Sequence, residues 1–368
     1  MAWLLDLIRT SVKEYEPSDN ARKMQQNSIL DLRHDSGRYS AGGKDLCREL
    51  AVFCNEVEDF DYSEGDRKFL KMEIAKTYEI SASEIVLGYD AVDFMRNFLF
   101  CLVEDKDEAV ISMPCPSVYS ELVKLYGGGC VCVPCGTDLH IRPELLFSAC
   151  NSKTKLMLLN SPNYISGIPI DSHDISKLLS SIDALKMLLI IDESKNGFIS
   201  VDHDFERSLF FKEHGKIVTI RSFADHWPAR GCSLVYAILP APLAREYDKI
   251  ASIIYSPPSI AIKQAIYAMR DRSEKVRDIH PKITGEKSKM IARMTGMGLR
   301  PIDNNNSNIV FTIADADSIW RQLYEEGVLI TNGSDNHLPG YLIMSPGSPK
   351  ENEQFISVLG KVLNRVVR

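Results

Sequence analysis

Short apolar runs alternate with helix-like windows over most of the chain. Six of these runs are nearly continuous and four to seven residues long: AVISM at 109–113, VCVP at 131–134, KLMLLN at 155–160, KMLLIID at 186–192, IVTI at 217–220 and LVYAIL at 234–239. Runs that stay apolar at consecutive positions are typical of strands that are buried on both faces of a parallel sheet. The pattern therefore predicts an α/β fold with helices on both sides of the sheet.

The remaining windows predict helices and a second, smaller set of strands. Helical spacing of apolar side chains occurs at 64–79, 117–126, 241–296 (two or three helices), 315–326 and 350–366. Strand-like segments return near the end of the chain at 308–313, 328–331 and 341–344. We therefore expect an N-terminal arm (1–40), a large α/β domain (41–250), and bridging helices with a small C-terminal α+β domain (251–368).

Composition and charge narrow the class of protein. The 368 residues are 45% hydrophobic and 25% charged, as in ordinary globular proteins, and the net charge is −7. Because no basic block stands out, neither nucleic acid nor a membrane surface is an expected partner. The first residues become charged too early for a signal peptide, so we expect a cytoplasmic location.

The nine cysteines are expected to be reduced thiols in that compartment. Three of them, Cys130, Cys132 and Cys135, have C-x-C-x-x-C spacing inside a strand-like alternation. No second half of a zinc motif lies nearby, so structural cysteines are favoured over a metal site and no metal is expected.

Several blocks resemble the histidinol-phosphate aminotransferase branch of the fold-type I aminotransferases, which use pyridoxal phosphate (PLP). The blocks are EIVLGYDAVDF (84–94), PCPSVYSELVKLYGG (114–128), LLNSPNYISGIPI (158–170), LIIDESKNGF (189–198) and YLIMSPGSPKENEQF (341–355). The resemblance implies a large domain with a mostly parallel seven-stranded sheet and a smaller α+β C-terminal domain. It also implies a dimer, because fold-type I sites lie at dimer interfaces.

The loop RSFADHWPARG (221–231) resembles the family pattern R-T-F-S-K-A-F-G-L-A-G. In that pattern the lysine carries the cofactor as a Schiff base. Arg221, Phe223 and Gly231 coincide with the pattern, but Asp225 occupies the lysine position. A carboxylate cannot replace an amine that must condense with an aldehyde.

Other cofactor positions also depart from the family pattern. The aspartate that pairs with the pyridine nitrogen is kept as Asp192. Lys195 and Tyr164 replace the tyrosine and the asparagine that bind the phenolic oxygen, and Pro116 replaces the aromatic side chain that stacks on the ring.

The positions that bind charged groups of the ligands are altered as well. Asp90 and Ala91 fall in the phosphate loop, and Ser233 replaces the phosphate arginine. Ile343 replaces the arginine that holds a substrate α-carboxylate, and Tyr62 aligns with the tyrosine that reaches the neighbouring subunit's phosphate.

These losses lead to the expectation that PLP binding is lost and that no cofactor is bound. A charged hydrogen bond to phosphate contributes about 1.5–3 kcal/mol, and the arginine, the stacking ring and the lysine are all absent. The carboxylates of Asp90 and Asp225 would add repulsion.

The resemblance nevertheless implies that polar side chains converge on the cleft that holds the cofactor in the family. Asp225, His226 and Lys195 are candidates for acid–base catalysis, since a carboxylate, an imidazole and an amine suit that chemistry. Candidate substrate-binding residues are Tyr62, Tyr164, Asp192 and Glu193.

Three functions remain open. The first is a PLP-independent enzyme that uses the cleft for a small polar metabolite in a specialised biosynthetic pathway. The second is a non-catalytic partner in a homodimer or in a heterodimer with an active paralogue. The third is an atypical PLP enzyme that uses Lys195 or holds the cofactor without a covalent bond. Whether the protein is an enzyme at all stays open at this point.

Overall fold

The computed structural model describes most of the chain outside the N-terminal region. The described residues are 30–33, 64–136, 138–194, 215–224, 232–254, 257–270, 272–302, 304 and 306–366. Most of the expected arm (1–40), apart from residues 30–33, and four candidate residues, Tyr62, Lys195, Asp225 and His226, lie outside the described residues.

Strands and helices alternate through the described residues. The strands are β1 Leu30–Asp31, β2 Ile85–Gly88, β3 Glu108–Met113, β4 Gly129–Pro134, β5 Thr154–Asn160, β6 Leu188–Asp192, β7 Ile217–Ser222, β8 Val235–Ile238, β9 Arg300–Ile302, β10 Ile309–Thr312, β11 Val328–Leu329, β12 Thr331–Asn332 and β13 Tyr341–Met344. The helices are α1 Glu64–Tyr78, α2 Ala91–Leu102, α3 Ser117–Leu125, α4 Pro143–Ser148, α5 Ser172–Leu185, α6 Ala241–Ile254, α7 Ser259–Arg270, α8 Arg272–Gly296, α9 Ala316–Glu325 and α10 Pro349–Val366.

A seven-stranded sheet forms the centre of the molecule, with the order β2-β8-β7-β6-β5-β3-β4. The pairs from β7 to β4 are parallel, whereas β8 is antiparallel to both β2 and β7. This arrangement confirms the expected α/β fold with a mostly parallel sheet. All six apolar runs of the sequence lie in this sheet, and the strand that they do not predict is β2.

Both faces of the sheet are covered, which is why its strands are apolar at successive positions. Ile190 of β6 packs into a core formed with α2, α3 and α6. Leu189 and Ile191 of the same strand pack on the opposite face, against α4 and α5. Near β2 and β8 that second face is covered by α1 and α7 instead.

A separate four-stranded antiparallel sheet, in the order β12-β13-β10-β9, lies in the C-terminal part of the chain. Its core is shared with α8, α9 and α10 and includes Phe311 and Phe355, both fully buried. The single strand expected at 328–331 is divided in two. Val328 and Leu329 pair in parallel with β1, whereas Thr331 pairs with β13. The apolar pattern at 328–331 does not indicate that the two halves of this segment pair with different strands.

None of the helices among the described residues is long and apolar enough to cross a bilayer.

Candidate functional site

The site lies where β3, β5 and β6 reach their carboxyl ends, the place where open α/β sheets bind ligands. Asn160 is the last residue of β5 and Asp192 is the last residue of β6, and the two are direct partners in the parallel register. Helix α3, which follows β3, brings Tyr119 to the same position. Three elements that are distant in sequence therefore meet at the Asp192 side chain.

The Asp192 carboxylate is buried and accepts hydrogen bonds at both oxygens. The Tyr119 hydroxyl donates to Oδ2 at 2.7 Å, and Asn160 Nδ2 donates to the same oxygen at 2.8 Å. The backbone N–H of Ser194 donates to Oδ1 at 2.9 Å. Three donors around one buried carboxylate stabilise its ionised form and fix its orientation.

Burial, followed by the nearby charge of Asp192, raises the pKa of Tyr119 well above its usual value. The hydroxyl therefore keeps its proton at neutral pH and remains a donor to the Asp192 carboxylate. Tyr119 and Asn160 were not singled out by the sequence analysis. The sequence did contain an indication that Asn160 lies in the site, because the apolar runs 155–160 and 186–192 both end in a polar residue.

Glu193 belongs to a different contact from its neighbour Asp192. Its Oε2 accepts from Nε of Arg221 at 2.8 Å, and neither side chain has any exposed surface. The Arg221 guanidinium carbon also lies 4.7 Å from the ring centroid of Tyr78, and the Tyr78 hydroxyl is 2.8 Å from that of Tyr236. The structure thus places Glu193, a candidate for substrate binding, in a buried ion pair.

A tight turn follows β5 at the carboxyl edge of the sheet. Asn163 donates from Nδ2 to the Pro114 carbonyl at 2.7 Å, so it ties the end of β5 to the end of β3. Its Oδ1 accepts from the N–H groups of Ile165 and Ser166, each at 3.0 Å. These bonds fix the backbone of the turn that contains Tyr164.

The expected phosphate loop lies at the start of α2. Asp90 caps this helix, and its exposed carboxylate accepts from the N–H of Asp93 at 2.7 Å. The carboxylate of Asp93 accepts from the N–H of Tyr89 at 3.2 Å and pairs with Arg96 at 2.5 Å. Two protein carboxylates therefore already use part of the anion-binding capacity of this helix end.

The structure also describes the other positions that the resemblance singles out. Pro116 is half-buried just before α3, Ala91 is half-buried in the first turn of α2, and Ser233 is exposed before β8. Ile343 is 5% exposed and lies in an apolar cluster against which the half-buried Tyr164 packs. Among the candidate residues that the structure describes, Asp192 is the one whose side chain is surrounded by several hydrogen-bond donors.

Comparison with known proteins gives a consistent family assignment. The family model for aminotransferase class I and II matches residues 56–359. Histidinol-phosphate aminotransferase 2 of Carboxydothermus hydrogenoformans is 24% identical over 307 residues, which cover 82% of this chain and 83% of that protein. Histidinol-phosphate aminotransferase 2 of Pasteurella multocida is 23% identical over 370 residues, covering 98% of this chain and 99% of that protein.

Solved structures share the fold at low identity. Histidinol-phosphate aminotransferase from Sinorhizobium meliloti, in complex with pyridoxal-5'-phosphate, has a TM-score of 0.82 at 17% identity, covering 98% of each chain. Aspartate aminotransferase from Thermotoga maritima has a TM-score of 0.80 at 19% identity, covering 97% of this chain and 100% of that chain.

These comparisons correct one expectation, that no cofactor is bound. The matched family, its curated relatives and the solved neighbours are aminotransferases, and the Sinorhizobium meliloti structure is a PLP complex.

Proposed function

The chain belongs to the class I and II aminotransferase family and has the fold of the fold-type I enzymes, and from this premise we propose that it binds PLP in the cleft beside Asp192. The resemblance of residues 221–231 to the family loop aligns Asp225 with the attaching lysine, so in this proposal the cofactor is held without a covalent bond there. The single observation that carries the proposal is the buried Asp192 carboxylate, which accepts hydrogen bonds from three donors among the described residues.

The donors and acceptors at this end of the cleft suit a pyridine ring. Asp192 is fixed at a strand end as a hydrogen-bond acceptor, so it would hold a proton on the nitrogen of a bound pyridine ring and accept the charged hydrogen bond from it. Tyr119 and Asn160 hold the carboxylate in place. PLP, when bound, supplies an electron-withdrawing ring and an aldehyde for chemistry at an amine.

The residues that would bind the phosphate of PLP are less suited to their ligand. The N-terminus of α2 offers backbone N–H groups and a favourable dipole, but the exposed carboxylate of Asp90 lies at the same helix end. Ser233, which the resemblance aligns with the phosphate arginine, carries no positive charge. We therefore expect PLP to bind reversibly and more weakly than in a relative with an intact phosphate site.

The substrate differs from an ordinary α-amino acid in this proposal. Ile343 contributes an aliphatic side chain to a cluster with Ile165 and Val310, so no cation is available at that position. A carboxylate placed there would lose its hydration without gaining a partner. The proposed substrate class is an amine or carbonyl compound that does not need a cation to bind an α-carboxylate.

The proposal is tested by titrating the purified protein with PLP and following absorbance and the quenching of protein fluorescence. We expect saturable binding. After borohydride treatment and unfolding, peptide mass spectrometry should find no pyridoxyl group on any lysine. The absence of saturable binding would refute PLP binding. A pyridoxyl group on Lys195 that disappears in Lys195→Ala would refute the non-covalent arrangement.

Replacing Asp90 by asparagine should strengthen PLP binding roughly fivefold, because about 1 kcal/mol of screened repulsion is removed. Asparagine caps helices as well as aspartate does, so α2 should stay intact. Asp171→Asn is the matched control, since Asp171 caps α5 with the same kind of bond, to the N–H of Asp174 at 2.8 Å. Equal PLP affinities in the two variants would show that Asp90 does not face the phosphate.

A non-catalytic role as the partner of an active subunit is the second candidate, and the resemblance that aligns Asp225 with the family lysine favours it. Adding primary amines to the PLP-loaded protein separates the two. A change in the cofactor's absorbance supports the enzyme. No change, together with co-purification of a lysine-bearing paralogue, supports the partner role.

A further inference from the structure

Two cysteines on β4 lie outside the site described so far. Cys130 and Cys132 are two residues apart on the same face of the strand, and their sulfur atoms are 3.8 Å apart. Cys132 is exposed, whereas Cys130 is half-buried at the margin of the core that α3 covers. An exposed thiol directly beside a second thiol is not explained by core packing.

The strand that carries the pair has room to change shape. Among the strands of the described residues, β4 is at the edge of the seven-stranded sheet and pairs with β3 alone. The backbone of an edge strand can twist without breaking hydrogen bonds on a second side. A disulfide needs the sulfur atoms to approach to about 2.05 Å, and rotations of the two side chains with a local twist of β4 can supply that movement.

The two thiols are chemically unequal. A hydrogen bond from Cys130 lowers the pKa of Cys132 against the opposing effect of partial burial, and the positive charge of Lys124 lowers it further. The same hydrogen bond, together with burial, raises the pKa of Cys130. Since Cys132 is the exposed thiol of the pair, a small disulfide reaches it first, and the half-buried Cys130 is the group that reacts second.

We propose that Cys130 and Cys132 form a redox-active dithiol that a low-molecular-weight disulfide, such as oxidised glutathione, converts into a disulfide within β4. The Cys132 sulfur attacks one sulfur of the small disulfide, whose S–S bond breaks and releases one thiol. The Cys130 sulfur then attacks the Cys132 sulfur and releases the second thiol. Two protein thiols are oxidised, one small disulfide is reduced to two thiols, and the two protons leave with those thiols.

A metal site at the same position is not supported. No group of three or more histidine, cysteine, aspartate or glutamate side chains within the described ranges is arranged to hold a metal ion. Two thiols without a third ligand favour exchange chemistry over stable coordination.

The test treats the full-length protein with oxidised glutathione and then maps its thiols by differential alkylation and peptide mass spectrometry. In the native protein, Cys130 and Cys132 should lose reactivity together, and their peptide should be two hydrogens lighter. Cys130→Ser should instead accumulate one glutathione on Cys132, because the second thiol is missing. Cys132→Ser should form neither product.

Two controls keep the outcome specific. Cys135→Ser, altered three residues beyond Cys132, should still form the disulfide. If that variant loses it, the partner of Cys132 is Cys135 and the proposal is wrong. Before oxidation, Cys132 should react with iodoacetamide more than roughly tenfold faster than Cys150, whose pKa is raised to about 11 by burial. Equal rates, or a mixed disulfide on Cys132 that persists in the native protein, would also overturn the proposal.

Discussion

Replacing Arg221 by methionine is expected to lower the free energy of unfolding by about 3–5 kcal/mol, because the Glu193 carboxylate stays buried after its cation is removed. The pair has no exposed side-chain surface, so water cannot take over the lost contact. The interaction between the guanidinium and the Tyr78 ring is lost as well, which adds about 0.5–2 kcal/mol. Chemical denaturation followed by fluorescence measures the change.

Two further variants show whether the buried charge is the cause. Replacing both Arg221 and Glu193 by methionine should recover much of the lost stability, since no unpaired ion is left in the core. Arg142→Met is the matched control, because Arg142 forms an exposed ion pair with Asp138 at 2.6 Å and should change stability little. An Arg221→Met variant as stable as Arg142→Met, or a double variant no more stable than the single one, would contradict this account.

Replacing Asp192 by asparagine is expected to weaken PLP binding by about 1.5–3 kcal/mol, roughly 10- to 150-fold. The amide has nearly the shape of the carboxylate but lacks the charge that keeps a proton on the ring nitrogen. Fluorescence titration measures the affinity, and circular dichroism establishes that the variant is folded. A folded variant that binds PLP as tightly as the native protein would show that the ring lies elsewhere.

Tyr119→Phe should weaken PLP binding less than Asp192→Asn does. It removes one donor to Asp192 while leaving the carboxylate and the aromatic packing in place. Its effect on PLP affinity should lie between those of the native protein and Asp192→Asn, because the carboxylate is less well oriented but still charged. This ranking of three affinities separates a loss of charge from a general loss of packing.

Most strands of the central sheet could be predicted from the sequence because they are buried on both faces. Their apolar runs match the observed strands to within two residues at each end, as for 155–160 and β5. The three-residue strand β9 was missed because it contains Pro301 and is too short to show a periodicity. The division of 328–331 depends on pairing with β1, which is about 300 residues away in sequence and leaves no local pattern.

The candidate site could be predicted only in part. Asp192 was identified from its position after an apolar run and from the family resemblance. Glu193 was expected beside it, but successive side chains in an extended backbone point to opposite faces of a sheet. Asp192 accordingly meets Tyr119 on one face, whereas Glu193 meets Arg221 on the other. Such contacts follow from strand register and from helix position, neither of which a single sequence specifies.

The turn after β5 is also attached to the segment that connects β9 and β10 of the C-terminal sheet. Asn306 donates from Nδ2 to the carbonyls of Asn163 and Tyr164 at 3.1 and 3.2 Å. The segment is held in turn by the ammonium group of Lys287 on α8, which donates to the Asn306 carbonyl at 3.0 Å and to Oδ1 of Asn304 at 2.7 Å. A rotation of the four-stranded sheet relative to the seven-stranded sheet would therefore strain the hydrogen bonds that Asn306 makes to the turn after β5.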